Sequence, residues 1–331
     1  MKKQFFIPDY ISRKAGDSHS NCELHDLHRS ERVSNTMQFS FSFLKRKLLY
    51  QEVELYNARN TEGIGNYMNS TLLQAEPQLL YKNTWLVLQF LSEVMRQRGI
   101  DDNYYKIKNT IHFGKGYNNA FWNGEQMVFG DGDGVLFKSF MRDIDVLAHE
   151  MGHGITQFGC QLRYEGQAGA INEHLSDVFA SMVKQYVNNQ TVEQADWLIG
   201  DNVFVYDPAE KFALRNMRDP GTAFTDHPIL GNDPQPNHFD YFIETDADDG
   251  GVHLNSGILN RAYYEVCSLF GGFAYEKVGK LWFAFMLDRN MNKKMDFEEF
   301  RAILLKKATR FGFSFPERNL IEEGFRIVGI H

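Results

Sequence analysis

Five consecutive residues, His149-Glu150-Met151-Gly152-His153, constrain this chain more than any other feature. Side chains four apart share one face of a helix, so the two imidazoles can close on a single ion. The glutamate between them projects nearby, where it can act on water that the ion activates. Glu173 stands twenty residues after His153 and can complete a set of three protein ligands. The fourth position then stays open, the mark of a catalytic rather than a structural zinc. The plain alternative is a polar helix with two surface histidines. The surroundings favour the metal, because the other faces of the predicted helix Asp143 to Phe158 are apolar. Such a helix is buried between lobes, and burial strengthens the electrostatics of a site.

The same periodicity organises the rest of the chain. Residues 53–57 alternate like a strand, and 78–98 read as an amphipathic helix. Ile111-His112-Phe113 is strand-like up to Gly114, and the stretch from Gly116 to Phe129 reads as a hairpin or edge strand bounded by glycines. A second helix is predicted over Asn172 to Tyr186, with Glu173 at its start and Asp177 one turn on. That carboxylate can take the spare ring N–H of a ligand histidine and fix its tautomer. His253 lies in a Gly-rich turn, five residues after Asp248, which can hold it as a protonated donor. Taken alone, His253 is more readily structural. From about residue 257 the pattern is mainly helical, so the chain is expected to be α+β and two-lobed, strand-rich first and helix-rich second.

Net charge is −8 over 331 residues, which argues against nucleic acid or an anionic membrane as the main partner. Three scattered cysteines, Cys22, Cys160 and Cys267, give no disulfide framework. The start, Met1 to Tyr10, has two lysines but loses its apolar run at Pro8, so no signal peptide is read and the chain is expected to be cytoplasmic at synthesis, with non-classical secretion possible. The longest apolar run, Leu281 to Leu287, is far shorter than the ~20 residues of a membrane span.

Five ordered blocks carry a resemblance. They are Asn119-Ala120-Phe121-Trp122-Asn123-Gly124; Gly130-Asp131-Gly132-Asp133-Gly134; the histidine pentapeptide; Gly169-Ala170-Ile171-Asn172-Glu173 with Asp177; and Gly250-Gly251-Val252-His253 with Asn255-Ser256-Gly257. Over about residues 53–331 the chain resembles the thermolysin family of zinc metallopeptidases, and most of all its protealysin-like branch, made with a short propeptide. The resemblance implies a zincin fold of two lobes with the zinc helix between them. It implies a Zn2+ ion on His149, His153 and Glu173, with Glu150 as the proton carrier. Tyr164 and His253 would stabilise the oxyanion, and Asp248 would hold His253. Asp177 would orient His149, with Asn172 beside it behind the ligands. Asn119 and the Ala120 carbonyl would bind substrate backbone, and Arg215 a substrate carbonyl. Phe137, Phe140, Val146, Ile199, Val203 and Leu214 would line the apolar pocket for the residue after the scissile bond; plain core packing is the alternative for all six.

The resemblance divides the chain into a propeptide-like segment, 1–48, an N-terminal catalytic lobe, 49–156, and a mainly helical C-terminal lobe, 157–331. Phe6-Ile7-Pro8-Asp9-Tyr10-Ile11 resembles a family propeptide motif, with Asp9 in place of a proline. Phe6, Ile7, Pro8, Tyr10 and Ile11 are expected across the cleft as an intramolecular inhibitor, with release by a cut between about residues 35 and 50. Cys22 could latch a zinc but reads more simply as an idle thiol. Calcium is expected to be weak or absent. Asp145, Asp196 and Asp201 match acidic ligand positions of a family calcium site, but Lys184 and Leu198 replace two others. A second calcium-like stretch, Asp288 to Glu299, has Lys293 where an EF-hand needs glycine and is expected to lead into a helix instead. The expected activity is a neutral, latent zinc endopeptidase acting on peptides or proteins as a monomer. A catalytically silent peptide-binding protein on the same scaffold is the alternative, and a zincin acting on a non-peptide amide is a third reading.

Overall fold

A computed structural model describes residues 4–14, 48, 50–70, 73–205 and 212–331. The alternation at 53–57 becomes strand β2 (Val53–Asn57), whose neighbours are β3 (Asn66–Met68), antiparallel, and β4 (Ile107–Ile111), parallel. β4 pairs in parallel with β6 (Met127–Phe129), and β6 forms the expected hairpin with β5 (Ala120–Trp122). The far edge of the sheet is β1 (Gln4–Phe5), antiparallel to β5 with Gln4 opposite Trp122 and Phe5 opposite Phe121. The order is therefore β1-β5-β6-β4-β2-β3. Two residues are too few to show an alternation, so β1 left no pattern in the sequence. Past Pro8 the chain turns into a short helix, α1 (Asp9–Lys14), also unforeseen. The Lys14 ammonium ties its end to the Leu230 carbonyl at 2.7 Å.

Helix α2 (Ala75–Glu93) begins and ends earlier than the 78–98 pattern. Pro77 suits a first helical turn, and Arg96, at φ 58°, has left the helical region. The histidine helix α3 (Ile144–Phe158) starts where the Asp143 carboxylate accepts the Asp145 N–H at 3.0 Å. α4 (Gly166–Asn188) begins six residues before the expected Asn172, so Glu173 lies two turns inside the helix, not at its start. α3 and α4 touch at Gly152, where an added Cβ would lie 2.8 Å from the Ser176 Cα. That close approach brings residues 149 and 153 of one helix against 172, 173, 176 and 177 of the other.

The second lobe continues with α5 (Asp248–Phe270), α6 (Lys277–Met286), α7 (Phe297–Arg310) and α8 (Phe315–Ile327). The two-lobed α+β architecture follows, with α3 at the junction. The calcium-like stretch before α7 leads into that helix: Asp296 accepts the Glu299 N–H at 2.8 Å as its cap, and Asp288 pairs with Lys307 at 2.5 Å. Cys160 and Cys267 are buried free thiols, whereas Cys22 and most of the expected release region, 35–50, lie outside the described residues. Among the described residues no helix is long and apolar enough to cross a membrane.

Candidate active site

His149, His153 and Glu173 offer ligand atoms that all lie within 4.8 Å of one another, on three fully buried side chains. One atom of each is tied back. His149 Nδ1 faces Asp177 Oδ1 at 2.8 Å, and His153 Nδ1 faces both Asn172 Oδ1 and Ser176 Oγ at 3.0 Å. Glu173 Oε1 accepts the Tyr164 hydroxyl at 2.5 Å. The remaining atoms, His149 Nε2, His153 Nε2 and Glu173 Oε2, have no hydrogen-bond partner. Glu173 Oε2 stands 3.4 Å from His149 Nε2, near enough for charge attraction but not in hydrogen-bonding geometry. Buried polar atoms are almost always satisfied, so three that converge unpaired fit a two-nitrogen, one-oxygen metal site. Without a metal, burial lowers the basicity of His149, but the Glu173 and Asp177 carboxylates outweigh it and raise its pKa to about 9.

Behind the ligands, Asp177 is the hub. It accepts Arg215 Nε at 2.8 Å and Nη2 at 2.7 Å, Asn260 Nδ2 at 2.8 Å, and faces His149. Burial would raise its carboxyl, yet the Arg215 guanidinium and His149 hold it far below the ordinary carboxylate range. This bidentate, fully buried pair fixes His149 from behind.

Glu150 is fully buried, and no hydrogen bond closes on either carboxyl oxygen. Burial raises its pKa to about 8, with the charge of His149 and the nearby Trp122 amide holding it lower than burial alone would. His253 sits in the first regular turn of α5, not in the preceding Gly-rich turn; Asp249, Gly250 and Gly251, at φ 49°, 90° and 74°, form that left-handed turn. Asp248 grips it twice, by Oδ1 at 2.6 Å from Nδ1 and Oδ2 at 2.9 Å from the backbone N–H. Burial works against the charged ring, but Glu173 and Asp248 raise its pKa to about 10. Its Nε2 lies 3.2 Å from the Tyr164 hydroxyl, so both donors face the Glu173 side of the site.

The cleft is filled by the chain's own N-terminal segment. Phe6, Ile7, Pro8 and Ile11 are buried and Tyr10 half-buried. Phe6 N–H donates to the Ala120 carbonyl at 3.0 Å, and Ile7 N–H to Asn119 Oδ1 at 2.7 Å. Asn119 Nδ2 returns a bond to the Ile7 carbonyl at 3.2 Å, and Arg215 Nη1 donates to the Phe6 carbonyl at 3.0 Å. The Phe6 ring lies edge-on to His149 at 5.0 Å, beneath the Arg215 guanidinium at 4.7 Å. Gly200 opens the space beside it: an added Cβ would stand 2.7 Å from Leu214 Cδ1 and 3.2 Å from Phe6 Cε1. Phe137, Phe140, Val146, Ile199, Val203 and Leu214 are all fully buried in the core that includes Phe6.

A second grouping, with Asp143 and Asp145 buried and Asp201 half-buried, also brings three carboxylates together. The Lys184 ammonium sits in it, 3.1 Å from Asp145 Oδ2, 2.7 Å from Asp201 Oδ1, 3.0 Å from the Leu198 carbonyl and 3.4 Å from Asp196 Oδ1. Burial alone would discharge it; the aspartates hold it charged, well above its ordinary pKa.

Sequence reasoning missed two residues and one role. Ser176 and Asn260 contact the ligand system, and Arg215, expected only to meet a substrate carbonyl, also braces Asp177. Ser176 is one turn beyond Glu173 and Asn260 two turns beyond His253, so helix spacing was an available signal for both. Nothing in the sequence linked Arg215 to Asp177.

Comparisons with known proteins agree with this geometry. Residues 14–157 match the model for the thermolysin metallopeptidase catalytic domain, and 160–330 that for the thermolysin metallopeptidase alpha-helical domain. An extracellular metalloprotease of Pectobacterium carotovorum subsp. carotovorum is 43% identical over 250 residues, 76% of this chain and 71% of that protein. Protease PrtS of a Photorhabdus species is 40% identical over 230 residues, 69% of this chain and 62% of its own length. Among solved structures, the precursor of protealysin, a metalloproteinase from Serratia proteamaculans, aligns with a TM-score of 0.84 at 32% identity, covering 99% of this chain and 100% of that one.

Proposed function

The chain belongs to the thermolysin family of metallopeptidases, and on that premise we propose that it is a latent zinc endopeptidase, cutting before apolar residues in peptides or proteins. The observation that carries the reading is the trio of unpaired ligand atoms on His149, His153 and Glu173, with Glu150 unpaired beside them. Zinc held there would polarise the peptide carbonyl and make water nucleophilic at neutral pH. Glu150, fully buried and with neither carboxyl oxygen tied up by a hydrogen bond, takes a proton from the attacking water and passes it to the leaving nitrogen. His253, charged and held by Asp248, and the Tyr164 hydroxyl donate to the oxygen that becomes negative. Asn119, the Ala120 carbonyl and Arg215 hold the substrate backbone, and the apolar core around Leu214 receives the side chain after the cut.

The N-terminal segment occupies those same groups, which supports reading residues 1–48 as a propeptide-like inhibitor ahead of a catalytic lobe, 49–156, and a helical lobe, 157–331. Because it is tethered, modest contacts suffice for strong occupancy. We take the enzyme to work as a monomer without calcium; the Lys184 ammonium in the Asp143, Asp145 and Asp201 cluster supports the latter. A net charge of −8 supports a partner other than nucleic acid or an anionic membrane. The name of its Pectobacterium relative, an extracellular metalloprotease, supports work outside the cell.

The test is Glu150→Gln beside wild type, both zinc-loaded and both freed of residues 1–48. One zinc per chain should be retained while cleavage of an apolar peptide falls at least ~10²-fold. Turnover close to wild type would remove Glu150 from the reaction.

A further inference from the structure

We infer that the peptide bond between Phe5 and Phe6 is a self-cleavage site, presented by the chain to its own active site in the register of a substrate. The inference rests on the peptidase reading above and deepens it.

All four backbone polar groups of Phe6 and Ile7 are engaged: the two N–H groups by Ala120 and Asn119, the two carbonyls by Arg215 and Asn119. The segment runs antiparallel to β5, as an extended peptide does when it adds to a sheet edge. Phe6 is the residue whose side chain reaches the ligands, its ring 5.0 Å from that of His149. From Phe6 the anchoring contacts run toward the C-terminus, through Ile7. If the pocket takes the residue after the cut, the bond to be cut is the one that precedes Phe6. On that side stands Phe5, held in β1 opposite Phe121. Pro8, which lacks an N–H, comes only after both amides that the cleft needs have been supplied. The direction of the segment along β5 and the placement of the Phe6 side chain are those of a peptide about to be hydrolysed.

In the step, the oxygen of water bonds to the Phe5 carbonyl carbon and the C–N bond to Phe6 breaks. Glu150 carries both protons of the water, one after the other, to the Phe6 nitrogen. Phe5 leaves as a carboxylate and Phe6 becomes a free ammonium terminus, so one water is consumed and no redox partner is needed. Residues 1–5 depart. The contacts of the Phe6 carbonyl and of Ile7 survive, so the segment from Phe6 onward stays in the cleft as a tethered product and latency outlasts the cut.

The experiment is intact-mass measurement and N-terminal sequencing of the zinc-loaded full chain after incubation, beside Glu150→Gln and Phe6→Asp. Wild type should lose residues 1–5 and begin at Phe6, whereas both variants should keep Met1. A chain starting at Phe6, kept metal-free, should melt only a few degrees below the full chain: it loses the two-residue pairing of β1 with β5 but keeps the Phe6 and Ile7 contacts with Asn119, Ala120 and Arg215. The Phe6→Asp protein, its pocket no longer filled, should cut an apolar peptide added in solution. If it does so while wild type keeps residues 1–5, self-cleavage is wrong and the peptidase reading stands. If zinc-loaded Phe6→Asp folds and cuts nothing, the peptidase reading fails and self-cleavage fails with it. Phe6→Ala, which leaves most of the pocket open without burying a charge, replaces Phe6→Asp should that variant not fold.

Discussion

Two clusters in this protein each gather three metal-ligand side chains, and they differ in what their ligand atoms face. In the first, His149, His153 and Glu173 turn unpaired atoms toward one another, while Asp177, Asn172, Ser176 and Tyr164 hold the rest of each side chain from behind. In the second, which gathers Asp143, Asp145 and Asp201, an ammonium supplied by the chain itself pairs with Asp145 and Asp201. One cluster is prepared for an ion and the other already holds its cation covalently. The lesson is that a cluster of ligand residues is not a metal site until the partners of each atom are counted. A lysine within hydrogen-bonding reach of the carboxylates competes with any divalent ion for the same oxygens, at no cost in translational entropy.

The largest contrast comes from removing metal. Chelation should abolish peptide cleavage by protein freed of residues 1–48, and lower the stability of the full chain by about 4 kcal/mol relative to protein held at a thousand-fold excess of zinc over its Kd. Equal activity and equal melting with and without chelator would erase the difference between the clusters. Next is Lys184→Met. It leaves buried carboxylates without a counter-ion and should cost about 3 kcal/mol at pH 8, read by urea unfolding. Burial and the Asp143 charge already raise the Asp145 carboxyl above its ordinary range. An acid whose folded pKa is raised binds its proton more tightly in the folded state, so the loss should shrink as pH falls through that raised value toward ~4. A deficit that does not depend on pH would mean that packing, not charge, is what Lys184 supplies.

Asp177→Ala probes the supporting contacts of the first cluster. It should weaken zinc affinity by about 10- to 100-fold, measured by competition with a chromophoric chelator; an unchanged affinity would mean that Arg215 and Asn260 need no carboxylate between them to position His149. The smallest effect concerns calcium. Millimolar calcium should move the melting temperature of wild type by less than about 2 °C, whereas Lys184→Glu should respond by several degrees. A rise of about 10 °C in wild type would show an ion displacing the ammonium.

How much of this was legible beforehand differs element by element. The strand at 53–57, the hairpin near Phe129 and the histidine helix each repeat a pattern over enough residues to be seen. β1 has two residues and α1 six, too short for either period to register. Glu173 was expected at a helix start, but α4 reaches back to Gly166, and its added turns pack closely on α5, where a Cβ on Gly169 would lie 2.4 Å from Val252 Cγ1.

The sequence by itself determined which groups share a face. His149 with His153, and Asn172 and Glu173 with Ser176 and Asp177, follow from the pitch of a helix, which is set by local backbone geometry. It also made Lys184 an odd residue among acidic ones. Only the tertiary structure decided which faces meet. Arg215 reaches Asp177 across 38 positions and the Phe6 carbonyl across 209, and no local periodicity spans such distances. The register that sets Phe5 opposite Phe121 is likewise a choice among slips of a two-residue strand. It is fixed by one aromatic ring entering the space beside Gly200 and by the hydrogen bonds of Asn119, Ala120 and Arg215, all of which exist only once both lobes have packed around α3.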